Sequence, residues 1–344
     1  MSKDKFRVVQ WATGNIGTRA MKTAIEHPNL ELVGVYVRDP AKVGRDAGEL
    51  SGLSATGVKA TNNIEDIIAL KADCILYMPL LCDFDEVCRL LASGANIVTT
   101  RGEFHNPAML PAGIRKQVED ACRAGNSSIH ATGSSPGFIS EAVPLVLTSI
   151  LRRLDRLTID EFADLSSRDS PQMLFDIMGF GRPAIEYDEN RLSHVRHSFG
   201  PSLHLLANAL GLPLDSIEAM GETAPTRRDV TIAAGVLKKG TIGAQRITVQ
   251  GMRNGKPLLK FRANWYATKD VDADWNLRDT GWHISMEGDT PLEVSLLFSI
   301  PLEKFAETTP GYTAHRAVNA VRYVCEAQPG FQTTVDLPQI IAQL

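Results

Sequence analysis

Glu103 lies in the stretch VTTRGEFHNP, where an apolar run gives way to charged and polar residues ahead of a helical pattern. A carboxylate in a partly desolvated cleft can take up and release a proton, which makes Glu103 the candidate ionisable group for catalysis. The competing reading is a first-turn carboxylate favoured by the helix dipole. A second constellation opens the chain. FRVVQW runs into Ala12, Thr13, Gly14, Asn15, Ile16 and Gly17, the spacing of G-x-G-x-x-G with alanine in the first glycine's place. In that pattern the second glycine lets a pyrophosphate approach the backbone and the third lets the helix pack on its strand. The helix N-terminus then supplies N–H groups and dipole. Ala12 is small enough for the tight turn. A plain strand-to-helix turn is the alternative, and the strand–turn–helix context favours a dinucleotide cradle.

About twenty residues on, VGVYVRDP places Arg38 and Asp39 where an adenosine ribose would lie. Arg38 can stack on adenine and pair with a 2′-phosphate, which favours NADP, while Asp39 would serve the ribose hydroxyls of NAD. A solvated Arg–Asp turn is the bland alternative. Chemistry in such a sheet belongs beyond the carboxyl ends of its strands. There YMPLL offers Met78 and Pro79, apolar groups suited to a nicotinamide face, and ATGSSPGF offers Ser134, Ser135 and Phe138 on a rigid loop that could equally be an interdomain hinge. His105, His130 and His283 are isolated, without metal-ligand spacing. Asp270, Asp272 and Asp274 lack the glycine and distal glutamate of a calcium loop, so no metal site is expected. The five cysteines include no C-x-x-C pair, which argues against a disulfide framework and a structural zinc. Neither G-x-S-x-G nor a cysteine-nucleophile signature is present, which excludes hydrolase and aldehyde-acylating chemistry.

The elements that must position these groups follow from patterning. The 344 residues suggest two domains. A net charge of −4 without a basic block leaves no electrostatic footprint for nucleic acid. The start lacks a signal-peptide core and no apolar run is long enough to span a bilayer, so a reduced, cytoplasmic protein is expected. From residue 6 to about 132, six apolar runs alternate with helical stretches, predicting an α/β Rossmann-like parallel sheet over residues 1–140. GSSPGFISEAVPLVLTSILRRL reads as one long helix bridging the halves. Downstream, alternating segments predict a second α+β domain on a mostly antiparallel sheet over 141–309, with one face free for substrate or a second subunit. TAHRAVNAVRYVCEA predicts an amphipathic helix within 310–344, packing back on the first domain.

The segments WATGNIG, GRDAGELSG, VTTRGEF and GSSPGF together resemble the dihydrodipicolinate reductase-like superfamily. The first two look like the nucleotide domain of dihydrodipicolinate reductase. The second half lacks the His-His-x-x-Lys motif and Ser-Gly-Thr loop which that enzyme's substrate needs, so lysine biosynthesis is not expected. The whole chain, including TAHRAVNAVRYVCEAQPG, is similar to the 2,4-diaminopentanoate dehydrogenases and native amine dehydrogenases. That resemblance implies a homodimer that interconverts an amine with a carbonyl compound and ammonia, using NAD or NADP. It puts Glu103 at the position of the family's catalytic glutamate, and Phe138 and Thr313 at pocket-lining positions. The family often has Cys-Glu-Glu where this chain has Arg-Gly-Glu. The expected activity is reductive amination of a small apolar ketone or aldehyde, with Glu103 as acid/base and iminium stabiliser. An ammonia-independent carbonyl or imine reductase and a non-catalytic NAD(P)-binding sensor are the alternatives. Trp265, Tyr266, Trp275 and Trp282 could line the pocket or simply pack the sheet.

Overall fold

The computed structural model describes residues 5–183 and 189–344. In chain order the first elements are β1 (Phe6–Trp11), α1 (Asn15–Glu26), β2 (Leu30–Tyr36), α2 (Ala47–Ser51), β3 (Ala60–Thr61), α3 (Ile64–Ala69), β4 (Cys74–Tyr77), α4 (Phe84–Ala92), β5 (Asn96–Thr99), α5 (Ala112–Gly125) and β6 (Ser128–Ala131). They are followed by α6 (Val143–Thr148), β7 (Leu154–Asp164), α7 (Glu189–Ala209), β8 (Ser216–Pro225), β9 (Val230–Ile232), β10 (Gly235–Leu237), β11 (Ile242–Arg253), β12 (Lys256–Tyr266), β13 (Gly281–Gly288) and β14 (Leu292–Leu297). The chain closes with α8 (Phe305–Cys325) and β15 (Gly330–Gln332). Two compact units result, Met1–Phe138 with Thr309–Leu344, and Ile139–Thr308.

The first unit is a seven-stranded parallel sheet in the order β15-β6-β5-β4-β1-β2-β3. Its central strands are buried on both faces, which is why they read as continuous apolar runs. One face buries Val8, Met21, Leu76 and Val98 against Ala317, Val318 and Val321 of α8. The other buries Val9, Trp11, Ile75 and Ile97 with Leu90 and Val118 of α4 and α5. Helix starts are fixed by side chains: Asp83 accepts from the Asp85 and Glu86 N–H groups at the start of α4, and Asn63 accepts from Glu65 at the start of α3.

The sheet has one strand more than the six read from the sequence. β15 is a three-residue strand that pairs in parallel with β6, too short and too mixed to show a period. The third strand shrinks to Ala60–Thr61. The long helix expected from GSSPGFISEAVPLVLTSILRRL is also corrected. Ser135, Pro136 and Gly137 have non-helical dihedrals, with Gly137 at φ 115°, and regular helix covers only α6.

The second unit holds a six-stranded sheet in the order β14-β13-β7-β12-β11-β8, antiparallel except for the β7–β12 pair, and a small β9–β10 hairpin. One sheet face packs on α7, with Phe199 stacked on Phe261 at 4.1 Å between centroids. The opposite face is polar over Thr158, Asp160, Thr248, Gln250, Arg262 and His283, and toward one end carries an apolar cluster of Phe162, Ala224, Ala244 and Tyr266. Sequence patterning had not shown β8 or α7. β8 is an edge strand without a fully buried side, and α7 carries Gly200 and Pro201 in its middle.

Candidate active site

β1 and β4 are neighbours, and the chain leaves them toward opposite edges of the sheet, so a crevice opens beyond their carboxyl ends. The turn after β1 is built tightly. Gln10, wholly buried, donates through Nε2 to the Ala12 carbonyl at 2.9 Å. Ala12 adopts φ 71°, the left-handed conformation that a first glycine would take without strain. A Cβ on Gly17 would fall 2.1 Å from the Ala12 carbonyl oxygen, so only glycine lets α1 sit this close to the turn. A Cβ on Gly14 would meet nothing within 4 Å. Gly14 is also the N-cap of α1 and no side chain caps it. An open backbone face and uncapped first-turn N–H groups fit a dinucleotide pyrophosphate.

The groups after β2 are more engaged than their sequence implies. The Arg38 guanidinium donates to the Glu86 carboxylate at 2.6 Å, and Glu86 also accepts from the Tyr77 hydroxyl at 3.1 Å. Burial pushes the Tyr77 hydroxyl up, so it stays a protonated donor. Asp39 accepts from the Ala41 N–H at 3.0 Å and thereby caps the short turn Pro40–Lys42. From that turn Lys42 Nζ reaches 3.1 Å from both the carbonyl and the hydroxyl of Thr13. Nothing in the spacing of Lys42, Glu86 or Gln10 marked them beforehand.

After β4, Met78 and Pro79 are buried, whereas Leu80 and Leu81 are 88% and 75% exposed. Thr99 ties β5 to β4 by donating to the Tyr77 carbonyl at 2.7 Å and accepts from the Arg101 N–H at 3.2 Å. Arg101 then forms a fork with Glu103, Nη2 to Oε1 at 2.6 Å and Nε to Oε2 at 3.2 Å, and its Nη1 donates to the Leu80 carbonyl at 2.5 Å. Phe104, buried and edge-on to Phe84, anchors the turn that carries this pair. The Glu103 side chain keeps 34% exposure, enough to meet a ligand. Burial first, then the negative charge of Glu103, pushes the Cys82 thiol up to about 12, so Cys82 stays a thiol and not a nucleophile.

Beyond β6, the Ser134 and Thr313 hydroxyls are hydrogen-bonded at 2.7 Å, and Gly133 gives the room. The Phe138 ring lies 5.8 Å from the Arg316 guanidinium carbon. Ser135 Oγ is buried and has no partner among the described residues. Thus Ser134, Phe138 and Thr313 come together on one loop and α8, while Ser135 turns inward.

Aromatic groups of the second unit serve its sheet. The Tyr266 hydroxyl donates to the Arg278 carbonyl at 2.5 Å, Trp282 Nε1 donates to Glu161 at 2.9 Å, Trp275 lies under Arg246, and Trp265 packs beside Leu165 and Ala267. His130 joins β6 to β15 through Gln332, His283 meets Arg278 and Ser295, and Asp270 pairs with Arg228. Among the described residues, no three His, Cys, Asp or Glu side chains are grouped to hold a metal. No described helix is long and apolar enough to cross a membrane.

Residues 138–344 match the 2,4-diaminopentanoate dehydrogenase C-terminal domain, and residues 8–85 match the N-terminus of dihydrodipicolinate reductase. Over 347 residues the chain is 30% identical to an amine dehydrogenase of Streptomyces virginiae, covering 96% of this chain and 95% of that one. The chain belongs to the 2,4-diaminopentanoate dehydrogenase and amine dehydrogenase family. It is an NAD(P)-dependent oxidoreductase of that family. A more distant relative is the 2,4-diaminopentanoate dehydrogenase of Acetoanaerobium sticklandii, 22% identical over 359 residues, with 97% and 94% of the two chains covered. The structure of an amine dehydrogenase from Mycobacterium smegmatis shares the fold, with a TM-score of 0.76 over 98% of this chain and 97% of that one at 18% identity.

Proposed function

We propose that this family member catalyses the reductive amination of a small, largely apolar ketone or aldehyde with ammonia, and in reverse the oxidative deamination of the amine. The observation that carries this reading is the Arg101–Glu103 fork at the carboxyl end of β5, two strands from the glycine turn. A bound nicotinamide supplies or accepts the hydride. The turn from Ala12 to Gly17 would hold the pyrophosphate, and Met78 and Pro79 would wall the nicotinamide. NADP is proposed over NAD.

The chain's own chemistry is proton handling. Ammonia must be neutral to attack a carbonyl, and the imine must be cationic to accept hydride. Glu103 would take the proton of ammonium, return one to the departing water and stabilise the iminium by its charge. Arg101 would keep the carboxylate aimed, since a two-point fork fixes both oxygens at once. Ser134, Thr313 and Phe138 would bound the substrate with two hydroxyls and one apolar wall. We further propose a homodimer.

The test is NADPH and NADH oxidation with a panel of simple ketones and aldehydes, with and without ammonium at alkaline pH. Glu103→Ala should lose roughly 10²–10⁴-fold in turnover while cofactor affinity changes little. Turnover that ignores ammonium would replace this reading by carbonyl reduction, and cofactor binding without any turnover would replace it by a sensor.

A further inference from the structure

We infer that Lys42, and not Arg38, is the residue that selects the 2′-phosphate of NADP, with Glu86 holding Arg38 out of that role; this rests on the nicotinamide-cofactor reading above. Arg38 has the sequence position for the task, just past the end of β2, yet its guanidinium is already engaged by Glu86 at 2.6 Å. Glu86 is itself fixed by the Tyr77 hydroxyl and stands in the first turn of α4. A phosphate binding Arg38 would have to displace this carboxylate or accept its repulsion. Arg45, beyond Lys42 on the same loop, is likewise paired, with Glu49 at 2.8 Å.

Lys42 differs in both charge balance and place. Among the described residues no carboxylate lies within ion-pair distance of its ammonium, which is held by the Thr13 carbonyl and hydroxyl at 3.1 Å each. An ammonium carries three donors, so two fix its position and a third remains for an anion. The Pro40–Lys42 turn that carries it is itself fixed by the Asp39 cap. Lys42 therefore sets its ammonium between the loop after β2, where the adenosine ribose lies in this fold, and the Thr13 edge of the glycine turn. The 2′-phosphate hangs from that ribose, and only NADP carries it.

The experiment is calorimetric titration of the full chain with NADP⁺, NAD⁺ and 2′,5′-ADP, for native protein, Lys42→Met, Arg38→Ala and Glu86→Gln, with thermal melts to verify folding. Native protein should prefer NADP⁺. Lys42→Met should weaken NADP⁺ and 2′,5′-ADP roughly tenfold to hundredfold, as expected for one lost charge-assisted bond, and NAD⁺ by less than about threefold. Arg38→Ala should change either cofactor by less than about threefold, and Glu86→Gln should tighten NADP⁺ by releasing Arg38. Equal losses for both cofactors in Lys42→Met would overturn the inference, as would loss of discrimination in Arg38→Ala or a native preference for NAD⁺. Native protein that binds neither dinucleotide would instead sink the cofactor reading beneath it.

Discussion

Asp46 shows how one side chain holds the loop between β2 and β3. Its Oδ1 accepts from the N–H groups of Gly48 and Thr56 at 2.8 and 2.9 Å and its Oδ2 from Gly57 at 2.8 Å. These donors, Thr56 foremost, hold its carboxyl down to about 2, against an ordinary value near 3.8. A carboxylate lowered on folding adds stability that is full above its unfolded value and is lost as pH falls through its folded one. Urea unfolding of native protein and Asp46→Asn should therefore show the native chain more stable at pH 7. The gap should close between about pH 4 and 2; a gap constant down to pH 2 would remove the ionised carboxylate from the explanation. At this scale the sequence is legible where a residue's type and its neighbours carry the signal, as for the glycine spacing that the tight turn into α1 uses. It is silent on Lys42 reaching Thr13, on Glu86 meeting Arg38 and on Gln10 bracing the turn. The first two partnerships span 29 and 48 positions, and no local spacing encodes a side chain's distant partner.

Where β1 turns into α1, two glycines do different work, and substitution should separate them. Gly17→Ala would drive a methyl group into the Ala12 carbonyl, so α1 must shift; overpacking of this kind costs about 1–3 kcal/mol, with cofactor affinity falling as well. Gly14→Ala meets open space, so its unfolding midpoint should move by less than about 1 kcal/mol in stability, the cost of a poorer N-cap. Its methyl group would nonetheless stand between backbone and pyrophosphate and weaken dinucleotide binding roughly tenfold or more. Paired thermal melts and titrations decide this: if Gly14→Ala binds normally, the turn is a packing feature and not a cradle. The same elements explain what patterning could see. Strands buried on both faces declare themselves as apolar runs, as β4 does most plainly, wholly buried over Cys-Ile-Leu-Tyr. β8, β15 and α7 do not, because an edge strand, a three-residue strand and a helix interrupted by glycine and proline each dilute the period that burial imposes.

The second unit presents a sheet with one face against α7 and a largely polar opposite face, and the homodimer proposed above would use that opposite face. Several of its groups already hold one another. Arg262 forks onto Asp160 at 2.6 and 2.5 Å, Arg246 donates to Asn264 at 2.7 Å, and Gln250 donates to Glu218 at 3.0 Å. A surface whose polar side chains already hold hydrogen-bond partners can be covered by its two-fold copy at lower desolvation cost. On β8 of this face Met220, 42% exposed, is flanked by Glu218 and Glu222, which makes it a clean probe. Met220→Arg puts a cation between two carboxylates, which suits the isolated protomer, but adds bulk and charge to an interface. Native protein should scatter light as a dimer at micromolar concentration, and Met220→Arg should shift it toward monomer while unit folding persists by circular dichroism. A native monomer would remove the dimer altogether, and a variant that stays dimeric would move the contact to another face of the molecule.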